Sequence, residues 1–568
     1  MSKNNQHRNI NLLVMLAFTF VLFVVIGART FQLSVGKQSN GIDLVEYQPG
    51  DIERSSITSV NRGTIFDRNG KPIAMDTTSY SIYAVLNDRD PLVNVQDPDN
   101  TAIQLAKYLN IDRDQILKTL LTPDVYQVEF GNSGKGLSRE VKEAIEKENL
   151  SGIHFKEAKA RHYVNDYFAS HIVGYADTDV QESQDMGLDI QTGRMGMEAL
   201  YDQELNGLEL EEKMVSDGQV IGQDLYTSLD ARLQNIMDQE LKKTYDLYQP
   251  ESIMAYLVKP ESGEVLVASQ QPSFNLNSLK GIDKEWKNLL FEDSYEPGST
   301  MKILTLASAY EQQLYELDET FLSGKIDVYD QTVRDYNHWG WGDITFEQAL
   351  VHSSNVGMIK LAEKMGLDKW RQELERFGFG QTTESMFANE VNGNTDFDNP
   401  VNGMMSSFGQ GLSVTPAQLI EAFTAIANQG SAMRLQWIKG LGSNGSVDPQ
   451  VKAQLFQPET ARHILKTMVQ VVEDPQGTGQ EFRHPDVKVA AKTGTAQIPD
   501  PKGQGYLTGP NDYVYSVVTM FPADQPEYLM YMVMKQPKET QQKSGTKILS
   551  EIFIPFVDQV MITNGQES

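Results

Sequence analysis

At 568 residues the chain exceeds what one hydrophobic core organises, so at least two folded units are expected. A formal net charge of -28 leaves no surplus of Lys and Arg to track a phosphate backbone, and no nucleic-acid partner is expected. With no Cys, disulfides, thiolate metal sites and a Cys nucleophile are excluded, and export would harm no thiol.

Residues 12–28 (LLVMLAFTFVLFVVIGA) form an apolar run with one Thr, preceded by Lys3 and Arg8. A membrane helix needs roughly 20 residues, and Ile10, Asn11 and a snorkelling Arg29 supply the remainder. A cleaved signal peptide and a buried core helix are the competing readings, but no A-x-A-like site follows the run. The expectation is a single-pass anchor over 11–33, a cytoplasmic tail at 1–10 and the bulk of the chain outside. Arg29 and Lys37 weaken any orientation argued from charge alone.

Residues 34–61 are too polar to pack by themselves and read as a stalk. From 62 to 241 the pattern is mixed α+β: 79–86 alternates like a strand, while 101–109 and 113–121 look helical. No cluster of His, Ser and Asp suggests chemistry there, so this region reads as a scaffold or docking pedestal. A second unit is expected over 248–563. It opens with two strands in IMAYLVKPESGEVLVAS joined by a turn at 260–263. Helices are expected to dominate 300–377. Thr415 should cap a helix with Pro416 at its first position and Gly430 beyond its end. Strands then return at 488–491, 514–520 and 528–534, and a final apolar helix covers 548–561.

Three short elements of the second unit carry residues suited to chemistry. In Glu296-Pro-Gly-Ser299-Thr-Met-Lys302, Pro-Gly forces a turn before a run of helix formers, so Ser299 and Lys302 share one helix face. A Ser hydroxyl attacks poorly without a base, and Lys serves only if burial or a neighbouring cation lowers its pKa from about 10.4. A plain helix N-cap is the alternative role for Ser299. The same S-x-x-K spacing recurs at Ser34/Lys37 and Ser544/Lys547, so alone it is weak. Ser353-Ser354-Asn355 falls on a turn between a helix opened by Thr345-x-x-Gln348 and another over 356–365. Such a turn aims a proton-relaying hydroxyl and an amide into a cleft, although S-x-N also occurs at Ser2, Ser59 and Ser273. Lys492-Thr493-Gly494-Thr495 follows an alternating stretch and belongs on a strand. There a cation and a hydroxyl meet a carboxylate, the backbone pairs with an extended peptide, and Gly494 keeps the approach open. The similar Lys543-Ser544-Gly545-Thr546 lies in loop context.

In this order the three elements form the signature shared by penicillin-binding proteins and class A β-lactamases. The chain resembles class B penicillin-binding proteins, most closely the division-type 2x group of Gram-positive bacteria. RGTIFDRNGKPIA (62–74), His171-Ile-Val-Gly-Tyr, Gly196-Met-Glu-Ala-Leu-Tyr-Asp, SYEPGSTMK, VHSSNVGM, SSFGQGLSVTP (406–416) and KTGTAQ extend the likeness over nearly the whole chain. The resemblance implies a noncatalytic, dimerisation-type pedestal at 62–241. It also implies a β-lactamase-like transpeptidase domain with an antiparallel five-stranded sheet between helical layers. It further implies a cell-wall D,D-transpeptidase acting on stem peptides that end in D-Ala-D-Ala, acylated by β-lactams and needing no cofactor or metal.

Carried over by position, Ser299 would be the acylated nucleophile and Lys302 its base, with Lys492 helping to keep Lys302 neutral. Ser353 would relay a proton to the departing D-Ala, and Asn355 would bond the substrate amide and Lys302. Lys492 and Thr493 would engage the substrate carboxylate, with Gly494 and Thr495 completing the substrate strand. The backbone N–H groups of Ser299 and Thr495 would form the oxyanion hole. By the same resemblance the protein would act at the division septum beside a multi-spanning glycosyltransferase and other division proteins, although side-wall elongation stays open. The sequence departs from the 2x type in ending soon after the last helix, without wall-binding repeats, and in Thr493 where that type has Ser. Rival readings are a β-lactamase, a membrane β-lactam sensor and a catalytically silent division scaffold. Arg62, Asp67, Arg68 and Gly70 would either stabilise the pedestal or bind a partner. Trp339 and Trp341 are expected to pack rather than line the cleft.

Overall fold

The computed structural model describes residues 59–567 apart from 88–92, 179–189, 209–213, 217–218, 398, 443–445 and 504, together with 24, 38–39 and 42–43. The tail expected at 1–10 and, Val24 apart, the anchor expected at 11–33 lie outside the described residues, as does most of the stalk. Among the described residues no helix is long and apolar enough to cross a membrane.

The first unit is built on strands β1 (Ile65–Phe66), β2 (Pro72–Val85), β3 (Gln127–Glu129), β4 (Ile153–Tyr163) and β5 (Leu225–Thr227). β2 pairs antiparallel with β4 from Ala74↔Tyr163 to Ala84↔Ile153, so the strand read at 79–86 begins well before it. Helices Pro98–Leu105 and Arg113–Leu120 cover one end through Ala102, Leu105, Ile116 and Leu120, all buried.

Beneath this sheet sits an ionic core. Glu198 is fully buried and gives one carboxylate oxygen to each of two arginines, Oε2 to Arg62 Nε and Oε1 to Arg161 Nε, both at 2.7 Å. Arg62 also reaches Asp202 at 2.6 Å and Arg161 reaches Asp76 at 3.0 Å. Burial opposes ionisation of Glu198, but Arg161 and Arg62 outweigh it and hold the carboxyl below its ordinary range. Asp67 is buried too, accepting from Asn69 N and Lys71 N at 2.8 Å and from Ala231 N at 3.2 Å, and Gly70 takes the positive φ of 77° that this turn requires. Arg62 therefore acts inside the pedestal and Asp67 ties its turn to the chain at Ala231; neither side chain is open to a partner.

The second unit begins with α1 (Ala231–Tyr248), capped by Asp230, whose side chain accepts from Arg232 N and Leu233 N. α1 runs through the pedestal limit read at 241. Its apolar face, Leu233, Met237, Leu241 and Tyr248, is buried in the second unit's core. The chain continues through β6 (Ser252–Val258), β7 (Val265–Gln271), α2 (Lys302–Glu311), α3 (Phe346–Val351), α4 (Asn355–Met365), α5 (Pro416–Ala427), β8 (Ile438–Leu441), α6 (Pro458–Glu473), β9 (Ala490–Gln497), β10 (Tyr513–Phe521), β11 (Tyr528–Lys535) and α7 (Gly545–Glu567).

Five strands form one antiparallel sheet in the order β7-β6-β11-β10-β9. Alternation along the strands divides their side chains between two layers. Ile253, Ala255, Leu257, Met530, Met532 and Met534 pack with α1 and α7, while Met254, Tyr256, Val258, Leu529, Tyr531 and Val533 face the core that holds α2, α5 and α6. Burial on both faces explains why β6 and β11 read as unbroken apolar runs. The capping box expected at Thr345/Gln348 is formed, and so is the cap expected at Thr415, which Gln418 completes into a second box.

Helices occupy 302–311, 346–351, 355–365 and 367–376 of the region expected to be dominated by them, but not the stretch between the first two. Two short hairpin-like pairs, Thr320–Leu322 with Asp343–Thr345 and Lys325–Val328 with Gln331–Arg334, interrupt them. Positive φ at Gly324, Gly340 and Gly342 supplies the turns that a helix reading ignores. The two units also share backbone. β8, from the second unit, pairs antiparallel with β5, so the pedestal sheet runs β8-β5-β1-β2-β3 with β4 attached to β2.

Candidate active site

Gly298 to Met301 form a single 3-10 turn that hands over to α2 at Lys302. Ser299 makes no capping bond in this turn, so the plain N-cap alternative fails, and the residue is partly buried. The turn is wedged in place. Gly298 has φ 57° and donates its N–H to Gly409 O at 2.9 Å. A Cβ on Gly409 (φ 85°) would lie 2.1 Å from Gly298 O. Gly409→Ala should therefore cost about 1–3 kcal/mol through overpacking and slow any reaction at Ser299. Denaturant midpoints and acylation rates measured together check both, and unchanged values of each refute the wedge.

Lys302 is fully buried, and its Nζ donates to Ser353 O at 2.6 Å, Asn355 Oδ1 at 2.8 Å and Ser353 Oγ at 3.2 Å. Burial pushes its pKa well below the ordinary lysine value, the charge of Lys492 lowers it further, and Asp335 opposes both. The resemblance put repulsion from Lys492 forward; desolvation is the larger cause.

Ser353 adopts φ 58°, a left-handed conformation that is strained for a non-glycine residue. This places its carbonyl and hydroxyl on the same side, toward the two lysines: Lys492 Nζ donates to Ser353 Oγ at 3.0 Å. Ser354 does the structural work of the turn, capping α4 through Gly357 N at 3.1 Å and donating to Asp335 Oδ1 at 2.9 Å. Asn355 is half-buried and anchored by its own amide, Nδ2 donating to Arg334 O at 2.9 Å, which leaves Oδ1 to Lys302.

Lys492, Thr493, Gly494 and Thr495 all lie on β9, an edge strand of the sheet, with Thr493 buried and Thr495 exposed. Lys492 is fully buried and donates to Thr493 O at 2.8 Å; burial alone lowers its pKa to about 7. Gly494 serves a different purpose from the open approach expected of it. A Cβ there would sit 2.3 Å from Ser516 Oγ and 3.1 Å from Pro297 O, so glycine lets β9 close on the Ser299 turn. Of the similar run at Lys543 to Thr546, Gly545 and Thr546 open α7 instead of lying in a loop, and none of it is on a strand.

Sequence reading assigned no role to three groups that matter here. Asp335 is buried and accepts from Ser354 Oγ, Val356 N and Gly324 N, fixing the start of α4, and no local pattern marks it. Glu296 and the 406–414 loop buttress the Ser299 turn. Trp341 stacks on His352, ring centroids 5.1 Å apart, and so packs as expected; Trp339 is 91% exposed and does not.

The second unit matches the penicillin binding protein transpeptidase domain over residues 253–554, and the first matches the penicillin-binding protein dimerisation domain over 57–235. The chain is 30% identical to stage V sporulation protein D of Bacillus subtilis over 97% of its own length and 84% of that protein's. It is 28% identical to the peptidoglycan D,D-transpeptidase FtsI of Escherichia coli K12, covering 86% and 82%. Penicillin-binding protein 2X from Streptococcus thermophilus superposes with a TM-score of 0.71 at 31% identity, covering 89% of this chain and 80% of that one. The transpeptidase match alone spans more than half of the chain and coincides with the sheet and turns that assemble the two lysines around Ser353, so this protein belongs to the penicillin-binding protein transpeptidase family.

Proposed function

We propose that this protein is a peptidoglycan D,D-transpeptidase that works through an acyl-enzyme on Ser299. The observation that carries the reading is Lys302, a fully buried amine held by Ser353 and Asn355 and three residues from a partly buried serine. Desolvation favours the neutral amine, which can take the Ser299 proton as Oγ attacks the carbonyl carbon between the two D-Ala residues. The backbone N–H groups of Ser299 and Thr495 hold the oxyanion, each worth about 2.7–4 kcal/mol. The C–N bond then breaks, and Ser353, lying between both lysines, passes a proton to the departing D-Ala amine. Lys492 and Thr493 bind the terminal carboxylate beside the edge of β9. The amine of a second stem peptide attacks the ester, loses its proton to the site and returns Ser299. A β-lactam follows the first half, but its leaving nitrogen stays tethered in the acyl group.

The apolar run at 12–28 supports a single membrane anchor with the catalytic unit outside the cell. The pedestal placed at 62–241 passes into the transpeptidase unit at 248–563 through α1, whose apolar face packs in the second unit's core. Likeness to the division-type group supports a septal role beside a multi-spanning glycosyltransferase.

Intact-mass spectrometry of the detergent-solubilised chain, followed for hours after penicillin is added, tests the mechanism. The expected result is a lasting adduct of one drug molecule that is lost in Ser299→Ala. Rapid drug turnover would instead mean a β-lactamase, and a folded wild type that takes no drug would mean a silent scaffold.

A further inference from the structure

Glu296 stands three residues before Ser299 and takes no part in the chemistry above. It is 92% buried by side-chain packing, with only 8% of its surface exposed. Its Oε1 accepts from two separate segments, Gly411 N at 2.9 Å and Tyr506 OH at 3.3 Å, while its Oε2 is buried with no hydrogen-bond partner among the described residues. Burial raises its carboxyl to about 7 against the pull of those two donors. A half-satisfied buried carboxyl costs stability, so packing alone does not account for it.

Its two donors come from the segments that frame the Ser299 turn. Gly411 belongs to the 406–414 loop, whose Gly409 O receives Gly298 N and whose Val414 exchanges backbone bonds with Tyr295. Tyr506 belongs to the loop that follows β9, and in β9 Thr495 O lies 3.0 Å from where a Cβ of Gly298 would be. Gln410 Nε2 also reaches Gln497 Oε1 at 3.5 Å, at the end of β9. One carboxyl thus joins three segments that meet at Gly298 and Ser299.

We propose that Glu296 is a positioning residue: by bonding Gly411 N and Tyr506 OH it locks the 406–414 loop and the loop after β9 onto the nucleophile turn. In doing so it sets the separation of the Ser299 and Thr495 N–H groups. The inference rests on the reading of Ser299 as the acylated residue. Glu296→Gln keeps an acceptor oxygen of the same reach and matches the neutral acid, whereas Glu296→Ala removes it. Small misplacements of reacting groups cost up to about 10²-fold in rate.

The test is stopped-flow acylation of the whole chain by a chromogenic β-lactam, resolving the acylation rate constant from the affinity that precedes it, with melting temperatures in parallel. E296A should lose about tenfold or more in the rate constant with affinity within about twofold, E296Q should stay near wild type, and Tyr506→Phe should show a smaller loss of the same kind. Equal losses in E296A and E296Q overturn the proposal, as does a wild-type rate constant in E296A or a loss that tracks affinity and melting temperature. If E296A fails to fold, Tyr506→Phe decides, and an unchanged rate constant there overturns it. A wild-type chain that takes no drug refutes the reading of Ser299, whereas an acylating wild type with an indifferent E296A refutes this inference alone.

Discussion

Replacing Lys302 with Met should slow acylation by a β-lactam by about 10²–10⁴-fold, the range for losing a general base, while leaving the fold intact. Met fills the same volume without a charge to desolvate, so the variant should melt no lower than wild type. A loss of rate smaller than tenfold would place the base elsewhere. The wild-type rate should rise with pH as Lys302 gives up its proton, because only the free amine accepts one from Ser299. Lys492→Met removes the cation that helps depress Lys302, so the midpoint of that profile should move toward higher pH even as the overall rate falls. The sign for stability follows from the same groups. Lys492 titrates at about 7 when folded and near the ordinary lysine value when unfolded, so the folded state holds fewer protons between the two. Stability contributed by the neutral amine is full above the unfolded value and is lost as pH falls through about 7. Lys492→Met should flatten that loss, as denaturation at several pH values would show.

The second large effect lies far from the chemistry. Arg62→Ala should destabilise the pedestal by about 3–5 kcal/mol, the cost of stripping one partner from a buried ion pair. Glu198 would keep Arg161 but lose the cation at Oε2, and Asp202 would lose its partner at 2.6 Å. Arg62→Lys should recover only part of the loss, since an ammonium cannot reproduce the guanidinium's fork onto Glu198, Asp202 and two backbone carbonyls. Chemical denaturation followed by a probe in the first unit measures this. A shift below about 1 kcal/mol, the scale of an exposed pair, would mean that Arg62 is not a structural keystone and would reopen the partner-binding reading. Acylation at Ser299 should change little in whatever fraction remains folded.

What was legible in the sequence was mostly local. The caps at Thr345 and Thr415, the turn before β7, the edge strand carrying Lys492 and the turn carrying Ser353 all depend on residues within four positions of one another. Backbone geometry enforces such short-range patterns wherever the chain goes. The three motifs named the chemistry because each places a particular residue type on a particular local structure. Unbroken apolar runs marked β6 and β11 as strands, but which side chains face which layer was decided by the fold. Where local signals fell short, a glycine or a distant surface was responsible: positive φ at Gly324, Gly340 and Gly342 turns the stretch between α2 and α3 into short strands, and the apolar face of α1 belonged to a sheet formed later in the chain.

Only the tertiary structure decided the rest. Lys302, Ser353 and Lys492 are separated by up to 190 residues, and it is the sheet with its packed helices that brings both amines within 3.2 Å of one hydroxyl. Their lowered pKa values do not exist in the unfolded chain, because desolvation requires the surrounding core. Asp335 and Glu296 carry no signal because their partners, Ser354, Gly411 and Tyr506, are reached through space. Gly409 is constrained by an atom of Gly298, 111 residues earlier in the chain. The sequence by itself determined which side chains could do this chemistry and on what local frame; folding determined their distances and their charge states.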